Sequence, residues 1–165
     1  MEIRRAVTEE DLQGKAYVHY TAWNEAYTGL VDQAFLDSRT YEQSLESAHR
    51  AFDNGYTTYV ADEGGKIIGF ADFGDYRDED LADAGEIYAI YVLKEHYGRG
   101  AGYALMKTAL SLMPEKKRFA VWVLKGNERA IRFYKKCGFI ADGTEMTITL
   151  GTDVTEIRMV KENDK

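Results

Sequence analysis

The stretch that decides the fold is residues 85–103, with the sequence GEIYAIYVLKEHYGRGAGY. Its first half, through Leu93, is rich in β-branched and aromatic residues and predicts a strand. Glycines at positions 98, 100 and 102 follow, and they open a predicted helix over residues 100–112. Glycine lets a ligand approach the backbone closely, and the unpaired N–H groups of a helix start attract anions. The stretch therefore predicts an anion site suited to a pyrophosphate.

Two other kinds of glycine-rich loop fit this stretch poorly. A P-loop would continue with Gly-Lys-Ser or Gly-Lys-Thr, which is missing here. The dinucleotide fingerprint needs a different third-glycine spacing and an acidic strand end about 20 residues further on. A tight turn that binds nothing remains the plain alternative, although Arg99 would add a charge-assisted contact to an anion.

Helix and strand patterns alternate along the rest of the chain. Thr8 to Asp11 resembles a capping box at the start of a helix, and Gly64-Gly65 predicts a hairpin. Strands are predicted at 2–7, 56–62, 66–73, 85–93, 118–124, 139–150 and 153–160, and helices at 8–29, 40–52, 100–112 and 127–137. The order βααβββαβαββ predicts a mixed α/β (α+β) fold with a mostly antiparallel central sheet. We expect one domain over residues 1–161 and a short polar tail at 162–165.

Composition excludes several classes of protein. The 165 residues carry a net charge of −7, which argues against a general nucleic-acid binder or an anionic-membrane binder. The single cysteine, Cys137, excludes an internal disulfide framework, and the three histidines lack metal-ligand spacing. No apolar run suits a signal peptide or a membrane span. We therefore expect a cytoplasmic protein with no metal, no nucleic-acid partner and no membrane partner.

A second segment, residues 127–139 with the sequence NERAIRFYKKCGF, also carries information. The positions of Ala130, Phe133, Tyr134 and Cys137 predict an amphipathic helix that Gly138 ends. This structural reading does not explain why a tyrosine follows the phenylalanine.

The two segments, in this order, resemble the GNAT superfamily of acyl-coenzyme A-dependent N-acyltransferases. The first is similar to the family's Gln/Arg-x-x-Gly-x-Gly/Ala loop at Gly100 and Gly102, but Tyr97 stands at the Gln/Arg position. The second is similar to Asn-x-x-Ala-x-x-Phe-Tyr-x-x-x-Gly-Phe, matching it at Asn127, Ala130, Phe133, Tyr134, Gly138 and Phe139. The element order agrees over nearly the whole chain. The resemblance implies a GNAT-like domain with helices on both faces of the sheet.

What the resemblance implies about activity is direct acetyl transfer from acetyl-coenzyme A (acetyl-CoA) to an amine. In this family the cofactor lies where the strand before the loop splays from its neighbour. The implied cofactor contacts are Ile90, Tyr91, Val92, Tyr97, Gly98, Arg99, Gly100, Ala101, Gly102, Tyr103, Asn127, Ala130, Phe133 and Tyr134. Tyr134 is implied as the general acid that protonates the coenzyme A sulfur, and packing against the cofactor is its alternative role.

Glu86 is the candidate general base, directly or through a water. Alternation along a regular strand would place Glu86, Tyr88, Ile90 and Val92 on one face, aimed at the cleft. A solvated carboxylate at the strand end is the alternative.

Candidates for binding the acceptor are Trp23, Glu25, Tyr27, Asp32 and Tyr88. For the first four of these, the alternative is a helix that packs its apolar face, with Glu25 in water.

The function expected is N-acetylation of a primary amine on a small, cationic acceptor. Residues 94–136 hold eleven Lys or Arg against three Glu, a charge of +8, so the remainder carries −15. This division suits an anionic cofactor and a cationic substrate. A non-catalytic acyl-CoA sensor and a protein N-terminal or lysine acetyltransferase are the alternatives. A homodimer is suggested by analogy with the family alone.

Overall fold

A computed structural model describes residues 1–164 and confirms the predicted fold class. Seven strands form one sheet in the order β1-β2-β3-β4-β5-β7-β6, and only β4 and β5 run parallel. The strands are β1 (Glu2–Arg5), β2 (Thr57–Glu63), β3 (Lys66–Asp75), β4 (Ala84–Val92), β5 (Arg118–Leu124), β6 (Ile140–Leu150) and β7 (Thr152–Glu162). The helices are α1 (Glu9–Tyr27), α2 (Gln33–Ser38), α3 (Tyr41–Asp53), α4 (Ala101–Ser111) and α5 (Glu128–Lys136).

Local sequence signals account for most of these boundaries. Thr8 and Asp11 form the capping box that starts α1, as expected. Gly64 and Gly65 both have positive φ and make the two-residue turn between β2 and β3. Helix α2 was not expected, because six residues are too few to show a helical period. Asp32 starts it by accepting a hydrogen bond from the Phe35 N–H.

The sheet buries an apolar core on each of its faces. On one face, Leu105 of α4 and Ile131 of α5 pack against Ile87 and Val121. On the other, Val18 of α1 packs with residues that include Phe70. Helices therefore cover both faces, as predicted. Strand β7 runs to Glu162, and Asn163 donates to the Lys116 carbonyl, while the last position of the predicted tail, Lys165, lies outside the described residues.

A β-bulge in β4 overturns the expected sharing of one face by Glu86, Tyr88, Ile90 and Val92. Asp72 pairs with Ala89 and Phe73 pairs with Ile87, so Tyr88 is the extra residue in β4. An extra residue reverses the alternation of faces beyond it. Ile90 and Val92 consequently join Ile87 in the core beneath α4 and α5, and Tyr91 packs on the opposite face.

Beyond the bulge, β4 and β5 separate. Their pairing covers only the first four residues of each strand and ends at Ile87 and Val121. From Trp122 to Leu124, β5 is paired with β7 alone. The two parallel strands therefore open a wedge in the middle of the sheet, at their carboxyl ends. Among residues 1–164, no helix combines the length and the apolar character needed to cross a membrane.

Candidate active site

The wedge between β4 and β5 holds a cavity of about 460 Å³. Every cofactor contact implied by the resemblance lines it except Arg99, which is exposed. The strand residues 87–92 form one wall and residues 121–123 form the other. Because the two strands do not pair here, their facing backbone groups are available to an extended ligand. We call this cavity the cofactor cleft.

The glycine loop closes one end of the cofactor cleft. Gly98 and Gly100 have φ values of +78° and +85°, which L side chains rarely adopt. Gly100 caps α4 without a side chain, and its carbonyl accepts the helix's first hydrogen bond from the Ala104 N–H. The N–H groups of residues 101–103 thus have no partner within the helix, and they form the positive end of the helix dipole. This end of the cleft is an anion cradle made of main chain.

Helices α4 and α5 meet at Gly102. A Cβ there would lie 3.3 Å from the Phe133 ring, tighter than ordinary packing. The Gly102–Phe133 contact therefore joins the two motif segments, 85–103 and 127–139, which 23 residues separate in the sequence. Asn127 caps α5, and its Oδ1 accepts from the Ala130 N–H, so the amide nitrogen of that side chain keeps both donors for a ligand.

A basic rim borders the cofactor cleft along α5. Arg129, Arg132 and Lys136 line the cleft, and the Arg129 guanidinium stacks 3.5 Å from the centroid of the Tyr97 ring. The rim was missed as a set, although the spacing of these three positions puts them on one helix face. Glycine cradle and basic rim together fit the pyrophosphate and phosphate groups of coenzyme A.

Three phenols gather on the inner part of the cofactor cleft. The Tyr27 and Tyr91 hydroxyls are 2.9 Å apart, and Tyr134 lines the same cavity with its side chain buried. Burial raises the pKa of all three phenols above the ordinary value, chiefly because the phenolate would lose its hydration. At neutral pH each hydroxyl therefore keeps its proton and is able to donate it.

A second cavity, of about 490 Å³, adjoins the cofactor cleft, and we call it the acceptor cavity. The two cavities share Tyr27, Ile87, Tyr88, Tyr91 and Trp122 as wall residues. Of the predicted acceptor contacts, the structure brings together Trp23, Tyr27 and Tyr88 here. These side chains come from α1 and from the bulge of β4.

Glu25 and Asp32 line neither cavity. Glu25 accepts a hydrogen bond from the Lys94 N–H, which fixes the short 3₁₀ turn before the glycine loop. Asp32 caps α2. Both carboxylates therefore have structural partners in the main chain instead of a place in the cavity wall.

Glu86 lines the acceptor cavity, but its carboxylate forms an ion pair with Arg77. The residue is 1% exposed, and its carboxylate accepts from the Arg77 main-chain N–H at 3.1 Å and from the guanidinium at 2.7 Å. The Arg77 guanidinium also stacks 4.7 Å from the Tyr88 ring. Glu86 thus ties the loop after β3 to the strand that carries the cofactor contacts.

Sequence reasoning missed Arg77, Trp122 and Glu156 at this cavity. They lie on a loop, on β5 and on β7, and no short motif connects them. The only signal for Glu156 is its place in β7 among alternating polar residues, a pattern that also fits a solvent-facing edge. Within residues 1–164, no three His, Cys, Asp or Glu side chains are grouped closely enough to hold a metal ion.

A wedge in a mixed sheet, an anion cradle at a helix start and a buried phenol define a coenzyme A-dependent acyltransferase. Comparison with known proteins agrees. The sequence profile described as "Acetyltransferase (GNAT) family" matches residues 12–139, so the chain belongs to the GNAT acetyltransferases. It is therefore an acetyltransferase, as the resemblance implied.

Relatives and solved structures extend the match over most of the chain. The chain is 32% identical over 128 residues to the uncharacterized N-acetyltransferase YuaI of Bacillus subtilis, covering 76% of this chain and 73% of that protein. It is 30% identical over 154 residues to the probable N-acetyltransferase Rv2775 of Mycobacterium tuberculosis, covering 87% and 82%. The family and the enzyme class are confirmed, and these names do not specify an acceptor.

Two solved structures show the fold with its cofactor. The PaiA N-acetyltransferase of Thermoplasma acidophilum, in complex with coenzyme A, has a TM-score of 0.73 at 22% identity, covering 99% of this chain and all of that one. The acetyltransferase YncA of Salmonella typhimurium, with acetyl-CoA, has a TM-score of 0.73 at 21% identity, covering 100% and 95%. At these identities the likeness confirms the shared fold.

Proposed function

We propose that this protein transfers the acetyl group of acetyl-CoA directly to the primary amine of a small, cationic acceptor. The observation that carries the proposal is the meeting of two unlike cavities. One ends in a glycine cradle with a basic rim, and the other contains carboxylates among aromatic side chains. They share wall residues, so a thioester in the first lies beside an amine in the second.

Several groups of the chain are suited to hold acetyl-CoA. The main chain of Ile90, Tyr91 and Val92 forms the unpaired wall of the wedge, and an N–H there serves as oxyanion donor to the thioester carbonyl. The main chain of residues 98–103 and the basic rim receive the phosphates. Bound acetyl-CoA supplies an activated acyl carbon and a thiolate leaving group.

Tyr134 is the proposed proton donor to that thiolate. Its hydroxyl has no hydrogen-bond partner among the described side chains, so it is free for the cofactor sulfur. The phenol's raised pKa ensures that it is protonated across the physiological range. The thiolate would form in the same water-poor space, where its own affinity for a proton also rises.

Glu86 is the base proposed from the sequence. With its carboxylate held by Arg77, it would act through a water at the cavity wall or after the ion pair opens.

A small-molecule acceptor is favoured over a protein because the acceptor cavity is walled by strands β4, β5, β6 and β7 and by α1. Its volume suits one small ligand.

The test is acetyl-CoA binding followed by thiol release. We expect acetyl-CoA to raise the melting temperature, and we expect free coenzyme A thiol to appear when a panel of small primary amines is added. Mass spectrometry of the amine should show one added acetyl group. Absence of thermal stabilisation would contradict cofactor binding, whereas stabilisation without turnover on any amine would identify a sensor. Turnover confined to peptides would indicate a protein acetyltransferase.

A further inference from the structure

Glu156 lines the acceptor cavity with a carboxylate that pairs with none of the side chains in residues 1–164. It lies in the middle of β7, between Leu124 of β5 and Met146 of β6, and all three residues line the cavity. Within residues 1–164 its carboxylate makes no hydrogen bond and no ion pair. Glu86, by contrast, is saturated by Arg77.

The environment of Glu156 connects it to the phenols of the cofactor cleft. Burial raises the pKa of the Glu156 carboxyl, and of the nearby charges Arg77 lowers it while Glu86 raises it. In turn, the Glu156 charge contributes to the raised pKa of Tyr27, Tyr91 and Tyr134. Glu156 lines the acceptor cavity, and Tyr27 and Tyr91 belong to the wall that this cavity shares with the cofactor cleft. Arg158, its neighbour on the same face of β7, is neutralised by Asp80 and Asp142.

The remaining walls of the acceptor cavity are largely apolar or aromatic. They include Trp23, Tyr76, Trp122, Met146, Ile148 and Leu150. Glu156 is half-buried, so its carboxylate has lost part of its hydration, and a cation that arrives with the ligand offsets that loss. Three carboxylates line the cavity. Glu86 is paired with Arg77 and Asp78 is exposed, so the half-buried Glu156 is the one that matches a positive charge inside the cavity, and the apolar walls match a hydrocarbon body.

We propose that Glu156 binds the ammonium group of the acceptor and removes its proton, and that the acceptor is a monocationic primary amine on an apolar or aromatic group. This inference rests on the proposed function and deepens it, because it names the proton acceptor and the chemical class of substrate. Glu86 then acts as a positioning residue that holds the Arg77 loop over the cavity.

The proposed reaction exchanges the C–S bond of the thioester for the C–N bond of an amide. Glu156 takes one proton from the ammonium, and the freed nitrogen lone pair forms the C–N bond at the thioester carbon. The C–S bond breaks with its electron pair on sulfur, and Tyr134 gives that sulfur a proton. The nitrogen loses its second proton, which restores Tyr134, and Glu156 returns its own proton to solvent. One net proton is released for each amide formed.

The two tryptophans allow binding to be measured apart from catalysis. Trp23 and Trp122 are the only tryptophans in the chain, and both line the acceptor cavity. Tryptophan fluorescence of the protein with coenzyme A should follow titration with 2-phenylethylamine, and 2-phenylethanol is the uncharged control ligand. The probe variant is Glu156→Gln, and the matched control is Glu145→Gln, an exposed carboxylate on β6 that pairs with Lys125.

We expect Glu156→Gln to raise the Kd for 2-phenylethylamine by about tenfold or more while leaving that for 2-phenylethanol within about twofold. The acid limb of the kcat/KM profile, present in the parent protein and in Glu145→Gln, should disappear. Equal amine affinity and an unchanged acid limb in Glu156→Gln would overturn the proposal, as would a preference of the parent protein for spermidine. If the acid limb of the kcat/KM profile is lost only in Glu86→Gln, then Glu86, and not Glu156, removes the proton from the ammonium group.

Different results would refute the acetyltransferase activity and the role of Glu156. If the parent protein acetylates no amine, the transferase proposal fails, and the fluorescence titration still decides whether Glu156 binds an ammonium group. If the parent protein acetylates amines and Glu156→Gln matches it in every arm, the transferase proposal stands and the role of Glu156 is refuted. Unchanged thermal stabilisation by acetyl-CoA in Glu156→Gln verifies that the variant is folded and that its cofactor cleft is intact.

Discussion

The cofactor cleft and the acceptor cavity share a wall but are built on different principles. The cofactor cleft depends on main chain: two glycines with positive φ, the start of α4 and the unpaired edges of β4 and β5. The acceptor cavity depends on side chains from α1, from four strands and from the loop after β3. In our proposal, the cofactor is therefore held mainly by main chain, whereas the acceptor is selected by side chains.

The two regions also differ in their electrostatics. Arg132 and Lys136 line the cofactor cleft as exposed cations, so their proposed contribution to phosphate binding will be sensitive to salt. Glu86 and Glu156 border the acceptor cavity, where burial is greater and screening is weaker. The uneven charge along the sequence, +8 over residues 94–136 and −15 elsewhere, is thus reflected at these two sites.

The largest effect is expected where the two regions meet. Tyr134→Phe should lower kcat by about 100-fold, because it removes the proposed proton donor, and should leave acetyl-CoA affinity unchanged. Steady-state thiol release and calorimetric cofactor binding measure the two quantities. Tyr59→Phe, which alters a phenol outside both cavities, is the control and should retain the parent rate. A Tyr134→Phe enzyme with the parent kcat would leave Tyr134 a packing residue.

A smaller effect should separate backbone strain from cofactor recognition. Gly100→Val forces a β-branched residue into the left-handed region, which it leaves by moving the amides that form the anion cradle. We expect the acetyl-CoA Kd to rise by about 30-fold. Calorimetry measures the affinity, and denaturant unfolding measures the stability.

Gly55→Val is the matched control for this change. Gly55 has a similar φ of +81°, follows α3 and lines neither cavity. Both variants should lose about 1–2 kcal/mol of stability from strain, and only Gly100→Val should lose cofactor affinity. Equal affinity losses in the two variants would mean that the cradle has no special role.

The smallest effect concerns the basic rim. Arg132→Ala should raise the KM for acetyl-CoA by about fivefold at low salt, because it removes one exposed phosphate contact. The difference should shrink as ionic strength rises toward 0.5 M. Lys135→Ala removes an exposed charge of the same sign from the same helix outside the cleft, and its KM should stay within about twofold of the parent value. A similar rise in Lys135→Ala would reduce the rim to a general field effect.

The fold, and the residues that line the cofactor cleft, were predictable from sequence because their signals are local. The Thr8 capping box, the Gly64-Gly65 hairpin and the glycine loop each act within a few residues. Helix α2 was missed because its six residues show no period, and the bulge at Tyr88 was missed because strand alternation assumes a regular ladder. Neither error displaced the core, since the apolar positions stayed buried.

The acceptor side was less predictable because its residues meet only through the sheet. Trp23 and Tyr27, predicted as acceptor contacts, line the cavity, whereas Glu25, predicted with them, is held by the Lys94 N–H instead. Glu156 reaches the cavity through the order of strands β5, β7 and β6. Strand order is a property of the whole chain, and no short window of sequence contains it.

The extra residue in β4 has a consequence for how this enzyme can change. Before Tyr88 the strand presents odd-numbered residues to the helices α4 and α5, and after it even-numbered ones, so one inserted residue decides the side of the sheet on which Tyr91 lies. Substitution can alter the chemistry of that strand, but only a change in its length can undo the exchange of sides. Deletions and insertions, rather than replacements, therefore set the limits within which the site can evolve.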